Sequence, residues 1–144
     1  MSLNPKVWGP HYWFVLHTIA LTYPLKPNET VKKKYYDFIE NLPIFIPIEN
    51  IGNYFSELLD KYPVTPYLDS RESFIKWVYF IHNRVNKNLG YEELTLSESL
   101  EKYYKQYENC EKQFEINNNR REHYIYFGIL LILIIITINV YKKS

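Results

Sequence analysis

Residues 124–141, YIYFGILLILIIITINVY, run for 18 positions without a charge. A stretch apolar on every side finds little cover in a small domain. As a helix rising 1.5 Å per residue it would span about 27 Å, close to the roughly 30 Å of bilayer hydrocarbon. The reading is a membrane-spanning helix over 124–141, with Tyr124, Tyr126 and Tyr141 at its edges where interfacial aromatics stand. A buried core helix is the alternative that burial in so small a domain disfavours. Arg120 and Arg121 before the run nearly balance Lys142 and Lys143 after it, so charge does not fix an orientation. The apolar stretch near Phe14–Leu21 is broken by His17 and Thr18 and lacks the features of a cleavable signal. Position then favours a C-terminal tail anchor, with the preceding domain in the cytosol.

The span leaves about 115 to 120 residues for one globular domain and a connector. Aromatics form 18% of the chain, with 15 Tyr and 3 Trp, enough for a core and for flat rings that could meet a planar ligand. Seventeen Lys and Arg against 16 Asp and Glu give no basic field, which argues against nucleic acid as a partner. Gly9, Gly52, Gly90 and Gly128 fall in neither of the glycine-rich patterns that cradle nucleotide phosphates. Cys110 is the only cysteine, so the monomer has no internal disulfide or cysteine-based zinc site, and no metal is expected.

The rest reads as helices. Pro10 suits the first turn of a helix running to Tyr23 and stopped by Pro24. Asn28 can cap a second, with Val31, Tyr35, Phe38 and Leu42 on one face. The tripeptide Asn28-Glu29-Thr30 also matches a glycosylation acceptor, though the cap explains it more simply. Pro47 can open a third helix carrying Ile48, Ile51, Phe55, Leu58 and Tyr62. Asp69 and Glu72 resemble a capping box for a fourth, whose Phe74, Trp77, Ile81, Val85 and Leu89 lead to a stop at Gly90. Leu96, Leu100, Tyr103, Tyr107, Cys110 and Phe114 make an amphipathic seam that either packs on the domain or pairs with a second copy. Residues 116–119, INNN, have the low helix propensity of a hinge. The expected fold is all-α, a bundle of four to five helices over 1–95, an amphipathic helix and hinge over 96–123, and the span over 124–141.

Two helices carry polar groups at core spacing. Trp13 and His17 stand one turn apart in WGPHYWFVLHTIA, with Trp8 and Gly9 at the mouth of the same helix. His82 and Asn86 stand one turn apart in WVYFIHNRVN, beside Asn83 and before Lys87. A lone His17 is most simply a satisfied core histidine, but an unpaired buried amide costs about 1–3 kcal/mol, so something polar should dock against the second group. Trp8, Trp13 and Tyr79 offer rings to stack on. His17, His82, Asn83 and Asn86 offer donors and acceptors, and Lys87 a cation. That is the inventory a dinucleotide such as FAD would need if held between helices.

WGPHYWFVLHTIALTYP, then FIPIENIGNYF, then FIKWVYFIHNRVNKNLG, resemble in order and spacing the motifs of the Erv/ALR family of FAD-linked sulfhydryl oxidases. The family pattern is W-G-x-x-x-W-x-x-L-H with a following Y-P, then P-C-x-x-C at a helix start, then W-x-x-x-x-H-N-x-V-N-x-x-L-G; the likeness covers about residues 8–92. It implies a helical bundle with FAD at its mouth, lined by Trp8, Gly9, Trp13, His17, Tyr23, His82, Asn83, Val85, Asn86 and Lys87. It further implies oxidation of protein dithiols, electrons passing through a cysteine pair to FAD and then to oxygen as hydrogen peroxide. Similar members are often dimers and, in large DNA viruses, can be small and membrane-anchored, which implies a host or virion membrane for the anchor. Ile48 and Ile51 stand where the resemblance places the two redox cysteines, and isoleucine cannot form a thiolate or a mixed disulfide. A second cysteine pair of many members falls at Tyr79 and Leu96. A lysine common after L-G falls at Tyr91, which leaves Lys87 nearer the pyrophosphate, and Pro10 takes a place some members give to arginine. The chain is then either a redox-dead member or an oxidase whose cysteine pair was replaced; a membrane-tethered helical adaptor with a purely structural aromatic core is the competing class.

Overall fold

In a computed structural model, which describes residues 3–143 apart from the side chains of 109, 110, 112, 113, 115, 119, 137 and 139–143, the fold is helical. The helices are α1 Pro5–Leu21, α2 Glu29–Asn41, α3 Glu49–Lys61, α4 Arg71–Asn88 and α5 Leu96–Lys143. Short 3₁₀ turns, Leu42–Phe45 and Thr65–Tyr67, lie between α2 and α3 and between α3 and α4, and no strand occurs among the described residues.

Helix α1 begins more than a turn before the expected start. Asn4 caps it, accepting the Lys6 N–H at 2.9 Å, and Pro5 takes the first turn, so Pro10 lies inside the helix instead of opening it. Both prolines suit a first turn by geometry; the side-chain oxygen of Asn4 selects the earlier one. The helix ends at Leu21, because a residue preceding proline is pushed out of helical geometry, and Tyr23 precedes Pro24. Asn28 caps α2 as expected, through the Val31 N–H at 2.9 Å. On that helix Ile39 is fully buried while Phe38 stays 39% exposed. Either residue satisfies a spacing of three or four from Tyr35, so periodicity could not choose between them.

Ile48, not Pro47, is the residue before α3, and it supplies no side-chain cap. Gly52 is buried here: a Cβ would lie 2.9 Å from the Pro43 carbonyl oxygen, so glycine lets α3 close on the first 3₁₀ turn. Ser70 caps α4 by accepting the Ser73 N–H at 3.1 Å, where Asp69 and Glu72 were expected to form the box. Asp69 instead pairs with Lys32 at 2.8 Å, and Glu72 with Lys76 at 2.6 Å. Gly90, at φ 74, ends the α4 segment as expected, in the left-handed conformation that favours glycine.

Helix α1 packs on α4, and α3 on both α4 and the first 3₁₀ turn. Phe74, Trp77, Val78, Ile81 and Val85 form the buried stripe of α4. With Leu16, Ala20, Tyr23, Ile39, Phe55, Leu58, Leu59, Val64 and Leu68 they make one core. Fully burying an aliphatic or Phe side chain of this kind contributes about 1.5–3 kcal/mol.

A Thr95–Glu98 capping box starts α5: the Glu98 carboxylate accepts the Thr95 N–H at 2.7 Å, and Thr95 Oγ1 accepts the Glu98 N–H at 3.2 Å. Its 48 residues continue helically through 116–119, where a hinge was expected, so the weak asparagine propensity yields to continuous flanking helix. A first compact unit ends at Tyr103 and a second begins at Tyr104. On the seam Tyr103 is buried, whereas Tyr107 and Phe114 are exposed, and the Cys110 side chain lies outside the described residues. Among the described residues no helix is long and apolar enough to cross a membrane; the side chains of Thr137, Asn139, Val140 and Tyr141, part of the expected 124–141 span, lie outside them.

Candidate functional site

Where α1 meets α4, His17 and His82 face one another, Nε2 to Nδ1, at 3.0 Å. Trp13, one turn before His17, lies flat against His82, with ring centroids 4.0 Å apart and planes 12° apart. It also lies 6.4 Å from His17 and 6.4 Å from Phe55 of α3. Ile51, half-buried, precedes Phe55 by one turn, and half-buried Ile48 stands at the start of that helix. The α3 face that begins at the two isoleucines therefore leads to the Trp13 ring.

The start of α5 closes the group from another side. Thr18 Oγ1 donates to the Phe14 carbonyl at 2.8 Å, so its 2.9 Å contact with Tyr103 is donated by the tyrosine hydroxyl. The Tyr103 ring stacks on Phe14 at 5.1 Å and lies 6.5 Å from His17. Lys102, next in sequence, bears on the electrostatics of His82. Neither residue was among those singled out for the site. Tyr103 was legible only as an apolar seam position, and nothing local in the sequence brings Lys102 near His82.

Burial holds the His17 pKa down to about 4. Burial, with repulsion from His17 and Lys102, holds His82 down to about 3. Both are neutral at pH 7, able to donate and accept hydrogen bonds while offering no charge to a phosphate.

The other expected residues fall into three places. Trp8 and Gly9 lie at the start of α1: Trp8 meets Tyr12 edge-on at 5.1 Å, its buried Nε1 has no partner, and a Cβ on Gly9 would touch nothing within 4 Å. Asn83, Asn86 and Lys87 flank the loop that follows α4. Asn83 donates through Nδ2 to the Leu94 carbonyl at 2.7 Å and accepts the Leu94 N–H at 3.1 Å, while the Tyr79 hydroxyl donates to the same carbonyl at 2.7 Å. The polar partner demanded by Asn83 is thus the chain's own backbone. Half-buried Asn86 receives the Leu89 and Tyr91 N–H groups on its carbonyl, and its side-chain amide makes no hydrogen bond in the described fold. Exposed Lys87 lies 3.5 Å from Glu93, which also holds Arg84 at 2.6 Å.

Tyr23 and Val85 belong to the core and not to the histidine group. The Tyr23 hydroxyl donates to the Leu68 carbonyl at 2.7 Å, its ring packs on Tyr35 and Phe74, and Val85 is 4% exposed. Among the described residues no three His, Cys, Asp or Glu side chains gather as a metal site.

The model of the Erv1 / Alr family matches residues 10–119. A "Probable FAD-linked sulfhydryl oxidase" of Acanthamoeba polyphaga mimivirus is 37% identical over 100 residues, covering 69% of this chain and 70% of the relative. The FAD-linked sulfhydryl oxidase of African swine fever virus, isolate Pig/Kenya/KEN-50/1950, is 35% identical over 97 residues, 63% of this chain and 75% of that one. The crystal structure of the yeast Erv1 core superposes with a TM-score of 0.64 at 22% identity, covering 72% of this chain and 86% of the other; at that identity the likeness speaks for a shared all-helical fold. With its family match extending over most of its length, this chain belongs to the Erv1 / Alr family.

Proposed function

We propose that the chain binds FAD among α1, α4 and the start of α5, and that it lacks the thiol relay by which its relatives' named activity would proceed. The observation that carries the cofactor reading is the Trp13–His82–His17 group: flat rings beside two uncharged imidazoles, where a heterocycle could both stack and hydrogen-bond. The partnerless buried Trp8 Nε1, the open space at Gly9 and the uncommitted Asn86 amide are also what a bound heterocycle and ribose would use. Lys102 and Lys87 are the cations within the same first unit that could hold a pyrophosphate. When bound, FAD supplies a two-electron acceptor that oxygen can reoxidise.

The chain's own contribution to thiol oxidation stops at α3. Ile48 and Ile51 occupy the positions that the resemblance gives to the redox pair, and their side chains can fill space but form no disulfide. Residues 124–141 anchor the chain in this proposal, supported by the uncharged run and by the exposure of Tyr124–Phe127 and Ile129–Ile136 along α5.

Full-length protein in detergent, mixed with FAD and desalted, should keep a flavin absorption spectrum yet consume no oxygen with a dithiol. Ile48→Cys together with Ile51→Cys should then start oxygen uptake. Loss of all flavin on desalting would sink the cofactor reading. It would favour a non-enzymatic membrane-tethered adaptor, which has one observation of its own: Trp13 already stacks on one face of His82, and His17 already partners its Nδ1.

A further inference from the structure

The contact between His17 and His82 fixes more than their distance. Two neutral imidazoles that meet through Nε2 and Nδ1 at 3.0 Å share one hydrogen, and each ring carries a single N–H. If His17 donates from Nε2, its Nδ1 is a bare acceptor and His82 carries its hydrogen on Nε2. If His82 donates from Nδ1, its Nε2 is bare and His17 carries its hydrogen on Nδ1. The two outer nitrogens therefore always have opposite character.

Two considerations select the first arrangement. It gives both rings the Nε2–H form that a free neutral histidine prefers, whereas the second puts both in the less favoured form. Neither outer nitrogen has a partner in the described fold, and His17 is 6% exposed while His82 is only half-buried. The first arrangement leaves the unpaired N–H on the more exposed ring, where water can reach it, and a lone pair on the less exposed one. In either arrangement Trp13 covers one face of His82 at 4.0 Å and 12°, so the ring is placed to meet a ligand through its edge, where Nε2 lies.

We propose that His17 is a positioning residue: its Nε2–H donates to His82 Nδ1 and so fixes His82 as an Nε2–H donor toward a carbonyl, ring nitrogen or ribose oxygen of a planar heterocyclic ligand. This deepens the flavin reading, but the hydrogen positions can be read without any ligand.

The test is a long-range proton–nitrogen correlation spectrum of the full chain in detergent at pH 7, labelled with ¹⁵N at its four histidines. His11→Gln and His123→Gln remove the other two signals and so assign the pair. Both His17 and His82 should show a protonated Nε2 and a bare Nδ1; a protonated Nδ1 on His82 overturns the proposal. His17→Leu should turn His82 into a mixture of both forms, and His17→Gln, which keeps a side-chain N–H, should restore the single one. A His82 that stays purely Nε2–H in the leucine variant also overturns it. A chain that shows the expected pattern but takes up no FAD removes the cofactor reading and leaves the pairing standing. A chain that takes up FAD with His82 protonated at Nδ1 does the reverse.

Discussion

The two ends of the packed helices α1 and α4 use similar materials to different ends. At one, Tyr23, Tyr35, Phe74 and Trp77 pack ring against ring, and the polar handles of the buried Tyr23 and Trp77 go to backbone carbonyls: Tyr23 hydroxyl to Leu68 and Trp77 Nε1 to Tyr62 at 2.9 Å. At the other, Trp13, Phe14, His17, His82 and Tyr103 also pack ring against ring, but the histidines satisfy each other and leave two nitrogens over. Aromatic content is the same kind of signal in both. What distinguishes structural core from candidate site is where the buried polar atoms end: at the first end on main chain, and at the second on each other, with His17 Nδ1 and His82 Nε2 unpartnered in the described fold.

Truncation should separate the two ends most sharply. Tyr23→Ala removes a fully buried ring and unpairs the Leu68 carbonyl, and should cost about 3–5 kcal/mol in denaturant unfolding. A loss below about 1 kcal/mol would show that this end is not the structural one.

Acid should unsettle the other end. His17 and His82, held to about 4 and 3 against 6.5 for a free histidine, are neutral in the fold down to those values, whereas in the unfolded chain they take up a proton below pH 6.5. Their contribution is whole above pH 6.5 and is lost as pH falls from there through 4 and 3, on the order of 3 kcal/mol for His17 alone. Replacing both by Phe should flatten the unfolding free energy over that interval; an unchanged slope would mean the rings are not buried neutral.

Asn83→Ala leaves the Leu94 N–H and carbonyl without their amide partner and should cost about 1–3 kcal/mol, with faster hydrogen exchange at Leu94. If FAD affinity falls while exchange at Leu94 is unchanged, Asn83 serves the ligand and not the loop. The smallest effect on folding belongs to Ile48→Cys with Ile51→Cys, within about 1.5 kcal/mol for half-buried positions at a helix start, although this variant is the one expected to gain oxygen uptake.

Much of this contrast was present in the order of residues. The one-turn spacings Trp13–His17 and His82–Asn86 placed polar groups on helix faces, and Pro24, Asn28 and Gly90 marked helix ends that the fold kept, whereas Pro10 and Pro47 opened none. The resemblance drew Tyr23, Asn83 and Val85 into one ligand site with the histidines, and the fold puts Tyr23 and Val85 in the core and Asn83 on the Leu94 backbone. Local spacing cannot report which distant carbonyl captures a side chain. Tyr103, 85 residues from Thr18, illustrates the same limit, since only packing brings the start of α5 to α1.

By itself the sequence determined the helical periodicity, the absence of a thiol at positions 48 and 51, and the uncharged run at 124–141, because these depend on residue identity and spacing alone. The tertiary structure decided which polar atoms are satisfied. It joined His17 to His82, turned Asn83 onto the Leu94 backbone, and left Trp8 Nε1 without a partner, because hydrogen-bond satisfaction is settled by groups far apart in the chain once burial removes water as the alternative.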